Sequence, residues 1–131
     1  MNDDATFIPG RGVLAEIDIS SLRQHGDAMK FTYHDRFGMA SEGFLMRFRD
    51  SFVAYENRCP HWSVPLDAEE NQFLDSSESF VFCPMHGAGF DALDGSCFQG
   101  PCQGDSLERF EVIVEGNRAI IQARRPRLFG P

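Results

Sequence analysis

The sequence predicts an all-β protein, a small antiparallel barrel or sandwich, and three observations carry that expectation. Two segments alternate side chains with the period of two that a strand imposes. Short turn signals join each of them to a returning apolar run. No segment shows a convincing helical repeat.

Taken in chain order, "LAEIDISSLRQHG" (residues 14–26) is expected to hold at most one short turn or helix after Ser20. "MKFTYH" (29–34) is a weaker strand candidate. In "GFLMRFR" (43–49), Phe44, Met46 and Phe48 share one face and Leu45, Arg47 and Arg49 the other, as in a half-buried strand. Asp50-Ser51 reads as a turn and "FVAYEN" (52–57) as the returning strand of a hairpin. "DAEENQFLDSSES" (67–79) carries five acids and no base and is expected to be an exposed loop. "SFVFC" (79–83) is a short apolar run. Phe110, Val112 and Val114 alternate with Glu111, Ile113 and Glu115, Gly116-Asn117 supplies a two-residue turn, and "RAIIQA" runs back. The basic tail "RRPRLFGP" (124–131) is expected to be a solvated end.

A chain of 131 residues is expected to form one domain, and its thirteen Phe against one Trp point to a core built on benzyl rings. The net charge of −8 argues against non-specific nucleic-acid binding and leaves a basic protein partner open. "MNDDATFIPG" lacks the features of a signal peptide and no apolar run approaches a membrane span. The expectation is a cytoplasmic protein that binds no membrane. In that compartment a Cys/His constellation means metal or redox chemistry more often than disulfides.

Such a constellation is present. "NRCPHW" (57–62) places Cys59 two positions before His61, and "FCPMHGAGFD" (82–91) places Cys83 three before His86, each cysteine followed by a proline. By ligand type alone, two Cys and two His suit a tetrahedral structural zinc site. The spacing argues against zinc: each loop offers one thiol and one imidazole, whereas zinc fingers take both cysteines from one knuckle. That split suits a cluster of two chemically different irons, one taking both thiolates and the other both imidazoles.

The full pattern, Cys59-x-His61 followed by Cys83-x-x-His86-Gly87, resembles the Rieske [2Fe–2S] family. "YENRCPHWSVPLD" is similar to the family's first cluster loop, "FCPMHGAGFDALDG" to the second, and "CFQGPCQGDSLERFEV" falls where the family has a proline loop and a closing strand. The resemblance covers roughly residues 44 to 123. It implies an antiparallel β base, a loop-built cluster-binding subdomain at about 57–104, and Cys59, His61, Cys83 and His86 as ligands. Pro60 and Pro84 would stiffen the ligand loops. Gly87 and Gly89 would let the backbone approach the cluster, and Gly100-Pro101 would cover it. Cys97 and Cys102 fit no ligand spacing and are expected to be thiols rather than a disulfide. His25 and His34 are expected to be ordinary surface or core histidines, and Trp62 either shields the cluster or packs.

Family members of cytochrome bc complexes carry two further loop cysteines joined in a disulfide; the matching positions here are Val64 and Met85, so that bond cannot form. Their cluster-facing Ser and Tyr hydroxyls correspond to Ala88 and Phe90. Fewer donors stabilise the reduced cluster less, so a potential toward the low end of the Rieske range is expected. The resemblance therefore implies a ferredoxin, an electron carrier rather than an enzyme, between a flavin-dependent reductase and a terminal oxygenase or similar redox enzyme. The alternatives are a small subunit of a larger reductase, such as nitrite reductase, and a structural zinc module for protein contact.

Overall fold

A computed structural model describes residues 12–35, 37–60, 63–67, 69–85 and 87–123. Among them lie nine strands: β1 (Val13–Asp18), β2 (Ala28–His34), β3 (Ala40–Phe48), β4 (Ser51–Glu56), β5 (Val81–Cys83), β6 (Ala88–Phe90), β7 (Cys97–Gln99), β8 (Arg109–Glu115) and β9 (Arg118–Ala123). The four earliest strands and the last two form one antiparallel sheet in the order β1-β9-β8-β4-β3-β2. Its edge strands β1 and β2 meet, so the sheet nearly closes into a barrel. The chain between β4 and β8 builds a second layer around the three-stranded sheet β5-β6-β7. No helix among the described residues is long and apolar enough to cross a membrane.

The β3–β4 hairpin positions everything else. Phe44, Met46, Phe48, Val53 and Tyr55 point from its outer face into a core shared with Phe73, Val81, Phe90 and Leu107 of the second layer. Leu45 and Ala54 point the other way, into the barrel, among Ile17, Tyr33, Phe110 and Ile121. The half-buried strand expected at 43–49 is thus buried on both faces, because a barrel closes over one and the second layer over the other. The expected turn shifts by one residue: Phe48 pairs with Ser51, so Arg49-Asp50 forms the turn, with Arg49 at φ 56°. The Gly116-Asn117 turn stands where it was expected, with Glu115 opposite Arg118 and Gly116 at φ 60°.

Two sequence expectations need correction. Residues 14–18 belong to β1, a strand the periodicity does not reveal; of the turn or helix expected after Ser20, the turn is present, at Ser20-Ser21. Their pairing with β9, from the far end of the chain, decides the conformation. The acidic segment 67–79 is not simply an exposed loop. Phe73 is buried and stacks on Phe44 with ring centroids 3.8 Å apart and planes 9° from parallel. Leu74 bridges Val81, and the Phe82 N–H donates to the Phe73 carbonyl at 3.0 Å. Two of its acids also hold backbone or side chains in place. Asp67 forms a salt bridge with Lys30 at 3.0 Å. Asp75 accepts the Ser79 and Phe80 N–H groups at 2.8 and 3.1 Å, and both the N–H and the hydroxyl of Ser77.

The buried Phe73 generates a discriminating prediction. Phe73→Ala should lower the unfolding free energy by about 3–5 kcal/mol, the usual cost of emptying a buried Phe site. A substitution in a solvated loop would change it by less than about 0.5 kcal/mol. Urea unfolding of the two proteins separates these outcomes.

Candidate metal centre

The first Cys/His loop leaves β4 through Asn57, a buried polar residue. Each side-chain polar atom of Asn57 is used. Its Oδ1 accepts the Leu66 N–H at 2.8 Å, and its Nδ2 donates to Glu42 Oε1 at 2.8 Å and Asp67 Oδ1 at 3.0 Å. Its backbone N–H donates to the Glu42 carbonyl at 2.9 Å. Two residues on, Cys59 is 1% exposed and its N–H donates to the Val64 carbonyl at 3.0 Å, which closes the loop on itself. Asp67 ties this loop to the barrel wall through Lys30. Burial alone would raise the Asp67 carboxyl, but hydrogen bonds from Asn57, Lys30 and the Asn71 N–H outweigh it and hold the carboxyl below its ordinary value. The same bond to Asp67 raises Lys30.

The second loop hangs between β5 and β6. Cys83 ends β5, is fully buried, and stands opposite Ala88, the first residue of β6. The Gly87 N–H donates to the Cys83 carbonyl at 2.9 Å, with Gly87 at φ 71°. Gln99 Nε2 donates to the Gly87 carbonyl at 3.0 Å and so fastens β7 to the loop. The next turn presses on the same spot: at Gly100, φ 92°, a Cβ would lie 2.8 Å from Ala88 Cα. The bareness of Gly89 makes room for the Gln99 and Phe80 side chains, since a Cβ there would come within 2.9 Å of Gln99 Cγ. Tyr55 anchors the far end. Its buried hydroxyl donates to the Ala92 carbonyl at 2.7 Å, and burial raises its pKa.

These elements bring Cys59 and Cys83 into one core, and none of the four cysteines is in a disulfide. Two buried thiols on separate, internally fastened loops fit the thiolate half of the split donor set. The imidazole half, His61 and His86, lies outside the described residues, as do Trp62 and the tail 124–131. Val64 is partly buried while Met85 is 65% exposed, and Ala88 and Phe90 are fully buried. Cys97 and Cys102 are both buried, with their Sγ atoms 3.4 Å apart. Burial first, then the Cys97 and Cys59 sulfurs beside it, pushes the Cys102 thiol up to about 12. His34 is exposed at the end of β2. His25 is half-buried and links two turns: its Nδ1 accepts the Arg49 N–H at 2.9 Å, and its Nε2 lies 2.8 Å from the Glu78 carbonyl.

Sequence reasoning missed Asn57, Asp67 and Tyr55 as the supports of this region. The only available signal was an Asn two residues before Cys59, and its partners are not local.

A family model described as Rieske [2Fe-2S] domain matches residues 20–114. No curated protein sequence matches. Among solved structures, the ferredoxin of carbazole 1,9a-dioxygenase from Nocardioides aromaticivorans IC177 is 23% identical with a TM-score of 0.65, over 86% of this chain and 98% of that one. A chain from the complex of reduced oxygenase and oxidized ferredoxin in carbazole 1,9a-dioxygenase is 24% identical with a TM-score of 0.68, over 89% and 99%. The terminal oxygenase of carbazole 1,9a-dioxygenase from Novosphingobium sp. KA1 shares the fold over only 32% of its own chain, at 15% identity and a TM-score of 0.68. At these identities the likeness is one of fold.

Asp67→Asn tests how the first loop is held. At neutral pH it should cost roughly 1–3 kcal/mol, because Lys30 then loses its buried carboxylate partner and keeps only the exposed Glu70, 3.2 Å away. The folded carboxyl sits below its unfolded value of about 3.9, so its contribution is complete above that value and is lost as pH falls through the lower folded one. Urea unfolding at a series of pH values should therefore show the gap between the two proteins closing below about pH 4.

Proposed function

Because the chain belongs to the Rieske [2Fe-2S] domain family, whose matched span includes both Cys/His loops, we propose that it is a one-electron carrier taking electrons from a flavin-dependent reductase to an oxygenase-type terminal enzyme. The observation that carries this reading is the meeting of Cys59 and Cys83 in one core at the ends of two separately fastened loops. The family's cofactor is a [2Fe–2S] cluster, which when bound takes up and releases a single electron. Cys59 and Cys83 would hold one iron, and His61 and His86 the other.

The chain's own residues would fix the ligand loops and exclude water. The Cys59 N–H bond to Val64 and the Gly87 N–H bond to Cys83 set the two loop conformations. Gly100, against the Ala88 backbone, keeps the following turn closed over the second loop. Ala88 and Phe90 offer no hydroxyl, so the cluster should titrate low. The oxygenase partner is supported by the fold shared with a chain of an oxygenase–ferredoxin complex. A flavin-dependent reductase suits the donor side, because a flavin can release one at a time the two electrons that a hydride brings.

Iron and acid-labile sulfide should be found in equal amounts in the purified protein, with a Rieske electron resonance signal. His86→Ala should abolish or alter that signal. Zinc without sulfide, or a signal indifferent to loss of either histidine, would overturn the assignment.

The potential should lie near or below about −150 mV, the low end of the Rieske range. Ala88→Ser should raise it by on the order of several tens of millivolts, if the new hydroxyl reaches a sulfur. Film voltammetry checks both, and a native potential well above 0 mV would contradict the low-potential reading.

A further inference from the structure

Cys97 and Cys102 fit no ligand spacing, yet the fold brings them together, with their Sγ atoms 3.4 Å apart. One residue holds both backbones. The Cys97 N–H donates to the Asp105 carbonyl and the Asp105 N–H to the Cys102 carbonyl, both at 2.9 Å. Ser96 bridges Ser106 on one side of this clamp. Within the turn, the Gln103 N–H donates to the Gly100 carbonyl at 3.3 Å, with Gly100 at φ 92°. Backbone bonds at both ends of the turn thus set the two sulfurs in contact.

A disulfide needs its sulfurs about 2.05 Å apart, a shift from the present contact small enough for the two side chains to supply. Groups already held in contact react with one another far more readily than groups that must first meet, since their relative freedom is lost before the reaction. Cys97 is 8% exposed and Cys102 1%, so Cys97 is the sulfur an oxidant meets first.

We propose that Cys97 and Cys102 form a thiol–disulfide couple, closed by a small-molecule disulfide of the glutathione type. The Cys97 sulfur attacks one sulfur of that disulfide, whose S–S bond breaks and releases one thiol. The Cys102 sulfur then attacks the Cys97 sulfur of the mixed disulfide and releases the second thiol. The small disulfide gains the two electrons and two protons that the cysteines lose. Closing the bond ties together the ends of a turn that lies on the second ligand loop. Gly100 packs against the Ala88 backbone there, and Gln99 Nε2 donates to the Gly87 carbonyl at 3.0 Å. Oxidation thereby locks the cover of that loop.

Cleavage before aspartates releases residues 94–104, which contain Cys97 and Cys102 and no other cysteine. The full-length protein is brought to equilibrium in glutathione buffers of graded ratio, starting both from the reduced and from the glutathione-oxidised protein. Burial slows exchange, so agreement of the two directions marks equilibrium. The protein is then quenched, unfolded, alkylated and cleaved. Mass spectrometry should find the segment two hydrogens lighter and unalkylated, with an equilibrium constant at least about tenfold above that of the same segment as a synthetic peptide. Cys97→Ser and Cys102→Ser should each leave the remaining cysteine alkylated in the same buffers. Two alkyl groups at every ratio, or an equilibrium no more favourable than the synthetic peptide's, would overturn the proposal. So would a bond from this segment to Cys59, Cys83 or glutathione in place of the internal one. Absence of iron and sulfide from the protein would sink the carrier reading and leave this outcome unaffected, so the two fail separately.

Discussion

A hairpin with large apolar side chains on both faces cannot lie at a protein surface, and β3–β4 is such a hairpin. Its outer face carries Phe44, Met46, Phe48, Val53 and Tyr55, and its inner face Leu45 and Ala54. Burying each large apolar side chain is worth about 1.5–3 kcal/mol. Five of them together approach or exceed the whole stability of a domain this size, about 5–15 kcal/mol. Both faces must therefore be covered. The barrel covers one, and the chain between β4 and β8 covers the other. The ligand loops are part of that second cover, so the candidate site belongs to the core of the protein and is not an appendage on it.

With no helix among the described residues, the loops must satisfy their backbone donors in another way, and the acidic residues do much of this. Asp75 accepts the Ser77, Ser79 and Phe80 N–H groups, and is held down to about 2 because these bonds outweigh the effect of burial. Asp91 accepts from Leu93 and Asp94, and Asp94 from the Ser96 N–H and hydroxyl. Asp35 does the same for Phe37 and Met39. Short carboxylates suit this task, because they reach the amide two residues on and stabilise tight turns. The charge of −8 is thus in part the by-product of building a loop-rich protein.

The hairpins were legible in the sequence because their register is local: an alternating run, a turn and a returning run lie within twenty residues or so. Burial on the second face was not legible. Leu45 sits between Phe44 and Met46 and shares its strand face with Arg47, which reads as a solvent face until the barrel is known to close over it. β1 was hidden for a related reason, since the strand it pairs with among the described residues, β9, comes from near the other end of the sequence. Phe73 stood with Leu74 in an acidic stretch, and its stacking partner Phe44 lies 29 residues away in the chain. The two thiols that the fold brings into one core were legible as a pair because each stands in a short Cys/His spacing, of the kind metal ligation would impose. Their supports were not: Asn57, Asp67, Lys30 and Tyr55 act across the fold, and nothing in their local context marks them.

The same supports bear on how a bound group would be tuned. A buried centre resists an added negative charge, since a low-dielectric surrounding penalises it, and each nearby donor offsets part of that penalty. Here the offset from side-chain hydroxyls is missing at Ala88 and Phe90. On the proposed reading, burial would then outweigh donation and the balance would fall on the low-potential side. Holding that balance requires that the donors not drift. Gly100 against Ala88 and Gln99 on the Gly87 carbonyl fasten the second loop to the end of β7, and Tyr55 on Ala92 fastens the chain after β6 to β4 of the barrel.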